Sequence, residues 1–100
     1  MTDTIQKVIE WANDKGLIIE GNAPQQAMKC MEELGETMRA YLKKDRAGLI
    51  DGIGDTIVTL IIFAAQNDIC IHHAIESAWD EIKDRTGKTV DGTFIKDTKC

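Results

Sequence analysis

An apolar run from Thr56 to Ala65 limits what this chain can fold into more than any other feature. It is apolar nearly all round, which predicts a helix that is buried on several sides. Two aspartates, Asp51 and Asp55, lie four residues apart just before the run. Carboxylates beside such a helix are costly unless they are paired, bind a metal or lie at a solvated helix end. We therefore expect these aspartates to point inward or along an interface.

Hydrophobic periodicity and cap residues predict an all-α domain that spans residues 1–100. The predicted helices cover residues 4–15, 23–44, 46–67 and 71–85. Asn22 is the expected N-cap of the second helix. The tail, residues 86–100, carries Asp91-Gly92, a signal for a two-residue β-hairpin turn. The expected fold is a four-helix bundle-like protomer with a short C-terminal hairpin.

Two apolar stripes are predicted to form the core. The second helix carries a 3-4-3-4 seam made of Met28, Met31, Gly35, Met38 and Leu42. Core packing is the favoured interpretation, and an adaptable Met-rich binding surface is the alternative. Trp79 lies in the apolar stripe of the fourth helix and is also predicted to be core. Four short helices would cover the third helix only in part, so we expect a homodimer or a homotetramer.

Composition excludes several classes of function. A net charge of -5 argues against double-stranded nucleic acid as the main partner, although a metal could still bridge nucleotide phosphates to an acidic protein. The N-terminus does not resemble a signal peptide, and the apolar run is about half the ~20 residues that cross a bilayer. Cys30, Cys70 and Cys100 have no CxxC spacing. Free thiols in a reducing cytoplasm are therefore expected. From the charge and the length of the apolar run, we expect neither nucleic acid nor a membrane as partner.

A second acidic cluster lies on the predicted second helix. Glu32, Glu33 and Glu36 crowd one flank of that helix, and alone they would be interpreted as a solvated acidic face. Together with Asp51 and Asp55 they suggest convergence on a cation. Mg²⁺ prefers oxygen ligands, usually a few carboxylates with water and substrate phosphate. No glycine-rich phosphate-binding loop is present.

These motifs resemble a known family. Lys29-x-x-Glu32-Glu33-x-x-Glu36, then a spacer and Ile53-Gly54-Asp55 before an apolar helix, is similar to the MazG-like all-α nucleoside triphosphate pyrophosphohydrolases. Their signature is E-E-x-x-E followed by E-x-x-D. The resemblance extends from Trp11 through Glu81-Ile82-Lys83-Asp84-Arg85-x-Gly87 to Val90-Asp91-Gly92-x-Phe94. This tail looks most like that of the small phage and prophage members.

One position departs from the family pattern. Gly52 stands where the family has the Glu of E-x-x-D, and the neighbouring Asp51 is the candidate substitute. Asp51 is offset by about 100° around the helix and has a shorter side chain. This departure bears on the number of metal ions and on the rate of catalysis.

The resemblance implies hydrolysis of a nucleoside triphosphate, either NTP or dNTP, between its α- and β-phosphates. Mg²⁺, with Mn²⁺ as a substitute, would be held by Glu33, Glu36 and Asp55, with help from Asp51 or Glu32. Glu32 or Glu33 would position or deprotonate the attacking water. The candidate phosphate contacts are Lys29, Lys83 and Arg85, for which ordinary solvated basic residues are the alternative.

Two other functions stay open from the sequence. A phosphoribosyl-ATP pyrophosphatase-like enzyme would use the same carboxylates on a different substrate. A catalytically lapsed module of the same fold would bind nucleotide or a partner without turnover, and Gly52 is the feature that keeps this alternative open. No linear motif reports the preferred base or sugar.

Overall fold

The computed structural model describes residues 2–97, with side chains from residue 4 onward. Its elements are α1 (Thr2–Asp14), α2 (Ala23–Leu42), α3 (Arg46–Gln66), α4 (Ile71–Ile82), β1 (Gly87–Val90) and β2 (Thr93–Lys96). The two strands pair as an antiparallel hairpin. The predicted helices and hairpin are therefore confirmed, with each helix ending one to three residues earlier than expected. Cys100, predicted to be a free thiol, lies outside the described residues.

Local signals in the sequence account for the element boundaries. The Asn22 side chain caps α2 by accepting a hydrogen bond of 3.0 Å from the backbone N–H of Gln25. Asp45 caps α3 in the same way, through the backbone N–H of Gly48 at 2.9 Å. Asp91 and Gly92 both have positive φ, 51° and 81°, as a type I′ turn requires.

The α2–α3 hairpin is the centre of the fold. A connector of residues 43–45 reverses the chain, so the two helices run antiparallel and pack along their length. They approach each other closely at Gly52, which is buried against Thr37. A Cβ at position 52 would overlap the Thr37 hydroxyl and lie 3.0 Å from the Thr37 Cα. Glycine therefore allows the close contact between the helices.

Polar groups in this helix contact have hydrogen-bond partners. The Thr37 hydroxyl donates to the backbone carbonyl of Glu33 at 2.7 Å, within its own helix. The buried Gln26 side chain donates from Nε2 to the Thr59 carbonyl of α3 at 3.1 Å. These bonds remove most of the cost of burying polar atoms, and the second one ties the two helices together.

The apolar core of the protomer is small. The buried hydrophobic residues are Ile5, Ala12, Ile61, Ile62 and Ala64. Helix α4 has no buried residue, and Trp79 is 58% exposed, so the prediction that Trp79 is core was wrong. The predicted packing of the α2 stripe is also wrong for the protomer, since its large side chains are exposed: Met28, Met31, Met38 and Leu42.

Helix α3 is covered on only two sides in the protomer. Helix α2 packs along one side and α1 along another, while α4 makes only a weak contact with it. Ile53, Ile57 and Leu60 of α3 remain about half exposed. The four helices therefore do not close into a bundle, and the radius of gyration is 16.5 Å, against about 13 Å for a compact chain of this length.

Helix α3 also has the length and composition that a membrane-crossing helix needs, as judged over the described residues. This is weak support for a membrane span, because the central helix of a soluble protein passes the same test. The expectation that no membrane is involved stays a prediction.

Candidate active-site groove

A groove beside the α2–α3 connector contains the predicted acidic site. It encloses about 290 Å³. It is lined by Glu33, Glu36, Arg39, Ala40, Lys43, Asp45, Gly48, Asp51, Gly52 and Asp55. We call it the carboxylate groove.

Helical spacing explains why these carboxylates meet. Glu33 and Glu36 are three residues apart on α2, and Asp51 and Asp55 are four apart on α3. Each pair therefore lies on one face of its helix. The antiparallel packing of α2 on α3 turns both faces toward the same groove. Four of the residues predicted for metal binding are thus brought together from two sequence-distant segments.

Gly52 forms the floor of the groove between the two helices. It lines the groove and is buried against Thr37, whereas the adjacent Asp51 is exposed at the groove wall. A Glu at position 52 would collide with Thr37 of α2 and push the helices apart. In this packing position 52 supplies no carboxylate to the groove, and the neighbouring Asp51 does.

The groove carboxylates are ligands of the type that a hard cation prefers, but their side chains are not close enough together to form a metal site. Glu33 is half-buried, and Glu36, Asp51 and Asp55 are exposed to solvent. Among the described residues, no three His, Cys, Asp or Glu side chains are close enough to form a ready-made metal-binding group. Carboxylates on one groove suit Mg²⁺. Binding would have to draw them together by side-chain rotation.

Two cationic side chains share the groove with the carboxylates. Arg39 and Lys43 line it, and neither forms a salt bridge within the part of the chain described. The salt bridge found among the described residues lies elsewhere, at α4, where Lys83 pairs with Asp80 at 3.0 Å. The sequence places Arg39 on the same flank of α2 as Glu33 and Glu36, but neither Arg39 nor Lys43 was predicted to contact phosphate. Lys43 is the C-cap of α2 and follows Glu36 by seven residues, so it continues the same face.

The other predicted site residues lie outside the lining of this groove. Glu32 and Lys29 are exposed on α2 and do not contribute to it. Lys83 and Arg85 lie at and beyond the end of α4, where both are exposed. Their proposed roles stay predictions.

Comparison with known proteins identifies one phage relative. An uncharacterized 18.2 kDa protein from the rep-hol intergenic region of Haemophilus phage HP1 (strain HP1c1) is 35% identical over 65 residues. The match covers 65% of this chain and 40% of the phage protein. No family model and no solved structure matches. The similarity fits the phage-like character expected from the tail and assigns no activity.

Proposed function

We propose that this chain is a Mg²⁺-dependent nucleoside triphosphate pyrophosphohydrolase, with Mn²⁺ as an alternative ion. The observation that supports this most is the meeting of Glu33, Glu36, Asp51 and Asp55 in one groove from two helices. An acidic pair on a single helix would be an ordinary solvated face. Two such pairs that face one cavity, with the basic side chains of Arg39 and Lys43 beside them, suit a site for metal and phosphate.

Glu36, Asp51 and Asp55, with Glu33, would hold the ion in the groove. Glu32, which does not line the groove, stays a candidate for the same role. When bound, Mg²⁺ supplies neutralisation of phosphate charge and activation of water for attack. The groove's exposure to solvent leaves room for the substrate's own oxygens to complete the ligand set.

The protein's own side chains would position the reactants and move a proton. Glu33, which lines the groove, is better placed than Glu32 to accept a proton from the attacking water. The water oxygen bonds to the α-phosphorus, the bond from that phosphorus to the α-β bridging oxygen breaks, and pyrophosphate leaves. Arg39 and Lys43 would bind the phosphates through charge-assisted hydrogen bonds. Lys29, Lys83 and Arg85 stay candidates for the same role.

The test is pyrophosphate release from a panel of NTPs, dNTPs and phosphoribosyl-ATP, with Mg²⁺, with Mn²⁺ and with EDTA. We expect metal-dependent release with an equal amount of monophosphate. Glu36→Gln and Asp55→Asn should each reduce turnover by at least ~100-fold while far-UV circular dichroism keeps its helical signal. Glu10→Gln, an exposed carboxylate on α1 outside the groove, is the matched control and should keep full activity. Full turnover in both groove variants would refute this site.

A second candidate function is a nucleotide-binding or interaction module that has lost catalysis. The absence of a ready-made metal group within the described residues favours it, as does glycine at position 52. It predicts that a nucleotide raises the melting temperature without release of pyrophosphate. A folded protein that behaves in this way with either metal ion would replace the enzyme proposal.

The remaining expectations belong to the same proposal. They are a homodimer or homotetramer in a cytoplasmic setting, with a nucleoside triphosphate as the ligand and neither nucleic acid nor membrane as partner. Phosphoribosyl-ATP as the preferred substrate in the panel would favour the related pyrophosphatase instead.

A further inference from the structure

Basic side chains are concentrated at the tip of the α2–α3 hairpin. Residues 39–46 contain one acidic side chain and four of the chain's twelve Lys and Arg side chains. The four are Arg39, Lys43, Lys44 and Arg46. The chain as a whole has a net charge of -5. The tip is therefore a positively charged patch on an acidic protein, and such a patch attracts anions.

Two of these cations line a second cavity, next to the carboxylate groove. This cavity encloses about 270 Å³. It is lined by Ala40, Tyr41, Lys44, Asp45, Arg46 and Leu49, and we call it the tip pocket. Ala40 and Asp45 also line the carboxylate groove, so these two residues form the wall that the cavities share. The groove cations Arg39 and Lys43 do not line the tip pocket.

Helix geometry places the tip pocket on the other side of the hairpin from the groove carboxylates. Tyr41 follows Glu36 by five residues on α2, and Arg46 precedes Asp51 by five residues on α3. At about 100° per residue, the members of each pair lie about 140° apart around their helix. A ligand in the tip pocket would therefore bind behind the groove and leave the groove open.

Lys44 and Arg46 are available to an anionic ligand. Neither forms a salt bridge within residues 4–97, where side chains are described. Asp45 lies between them in the sequence, but its Oδ1 accepts the hydrogen bond of 2.9 Å from the Gly48 backbone N–H that caps α3. The end of the helix thus holds this carboxylate, and the two cations keep their charge for a ligand.

The backbone at Lys44 is strained, which favours a role for its side chain. Its φ is 58°, in the left-handed region that most L-residues avoid. Its N–H donates to the Tyr41 carbonyl at 3.1 Å, and the Asp45 N–H donates to the Ala40 carbonyl at 2.9 Å. These two bonds form a Schellman motif, in which the left-handed position is usually glycine. Lysine there costs stability that glycine would not, and residues strained in this way concentrate at ligand-binding and active sites.

Tyr41 and Leu49 supply an apolar wall beside the two cations. Tyr41 is 65% exposed, so its ring is accessible to a ligand. Aromatic rings stack on nucleobases of every kind, and Lys and Arg bind phosphate through charge-assisted hydrogen bonds. A ligand that matches both features has a flat aromatic group joined to a phosphate. The volume of the tip pocket is close to the lower end for small-molecule sites, which suits one nucleotide with its base partly exposed.

We propose that the tip pocket binds a nucleoside monophosphate without a metal ion. The phosphate accepts hydrogen bonds from Lys44 and Arg46, and the base stacks on Tyr41. A polynucleotide fits less well, because it needs a longer basic track than two side chains on a chain of net charge -5. This site goes beyond the enzymatic proposal and does not depend on it.

The test is a titration of the full chain with AMP, GMP, CMP and UMP in EDTA, observed by NMR at low salt because salt screens exposed charges. Tyr41 is the chain's single tyrosine, so its ring resonances are identified without ambiguity. We expect these resonances to move upfield as a base stacks on the ring, with a dissociation constant below about 1 mM for at least one nucleotide. Adenosine, which lacks the phosphate, should bind at least about 10-fold more weakly than AMP. Inorganic phosphate should compete with the nucleotide and cause no upfield shift of its own.

Variants of the two cations locate the ligand. Lys44→Gly and Arg46→Gln should each weaken nucleotide binding at least about 10-fold. Lys44→Gly also relieves the left-handed strain, so it should melt at no lower temperature than the unaltered chain, and its loss of binding is then not a loss of folding. Lys7→Gln is the matched control for Arg46→Gln, because Lys7 is an exposed cation on α1 outside both cavities. It should leave binding unchanged.

Four results would overturn the proposal. The first is that the Tyr41 resonances do not move with any of the four nucleotides at about 10 mM. The second is binding that neither Lys44→Gly nor Arg46→Gln weakens. The third is that Arg39→Ala weakens binding as much as Lys44→Gly does, which would assign the nucleotide to the carboxylate groove. The fourth is binding of a single-stranded oligonucleotide with none of the mononucleotides.

The enzymatic proposal and this one fail separately. A protein that releases no pyrophosphate but shifts the Tyr41 resonances with a mononucleotide would refute the enzyme and leave the tip pocket standing. A protein that releases pyrophosphate and shows no such shift would do the reverse.

Discussion

Substitution of Gly52 by alanine tests the packing that builds the carboxylate groove. Alanine at a helix-interior glycine gains about 1 kcal/mol of helix propensity. At position 52 the added Cβ would overlap the Thr37 hydroxyl and lie 3.0 Å from the Thr37 Cα. Overpacking of this kind costs about 1–3 kcal/mol. We therefore expect Gly52→Ala to lower the free energy of unfolding by about 0–2 kcal/mol.

The same helix offers a matched control. Gly54 is exposed, and a Cβ there would meet nothing within 4 Å. Gly54→Ala should therefore keep the propensity gain and raise the free energy of unfolding by about 1 kcal/mol. The difference between the two variants, about 1–3 kcal/mol, isolates the cost of the contact with Thr37. Urea unfolding followed by far-UV circular dichroism measures both, at one fixed protein concentration because self-association shifts apparent stability.

A third variant identifies the partner of Gly52. Thr37→Ala removes the hydroxyl that the new methyl would overlap, so Gly52→Ala should cost less in that background. The coupling energy between the two sites should fall within about 0.5–3 kcal/mol, and rescue should be partial because the Thr37 backbone stays in place. The reasoning fails if Gly52→Ala stabilises the protein as much as Gly54→Ala, or if Thr37→Ala does not change its effect.

Four further results are expected. Arg39→Ala and Lys43→Ala should each raise the KM for the nucleotide about 10-fold or more by loss of a charge-assisted phosphate contact, and steady-state pyrophosphate assays would measure it. An unchanged KM in both would exclude them as phosphate ligands. Gln26→Leu should lower the free energy of unfolding by about 1–2 kcal/mol, because it removes the hydrogen bond that joins α2 to the Thr59 carbonyl. Asn22→Ala should cost about 1 kcal/mol by loss of the α2 N-cap. For both, denaturation curves equal to those of the unaltered chain would contradict the reasoning.

The candidate site was partly predictable because helical geometry is local. The spacing of Glu33 with Glu36, and of Asp51 with Asp55, fixes each pair on one helix face whatever the rest of the fold does. The basic pair was harder to predict. Arg39 and Lys43 continue the same face, but many solvated helices carry such residues, and only the closure of α3 over that face gives them a shared cavity.

The apolar positions were the least predictable part of the fold. The 3-4-3-4 seam on α2 marks side chains that should pack, and core packing is the interpretation that the sequence favours. The structure leaves Met31 70% exposed and Trp79 58% exposed. Amphipathic patterns report that a face needs a partner, but they do not report which surface supplies it.

The sequence by itself determined the elements of this protein and their ends. The N-cap at Asn22, the Asp91-Gly92 turn and the periodicity of each helix act over a few residues, so they work before any tertiary contact forms. Only the tertiary structure decided that α2 meets α3 at Gly52 and Thr37, which turns two acidic faces into one groove. It also decided which apolar stripes stay uncovered. Those outcomes depend on contacts between residues far apart in the chain, and on how much surface a chain of 100 residues can bury.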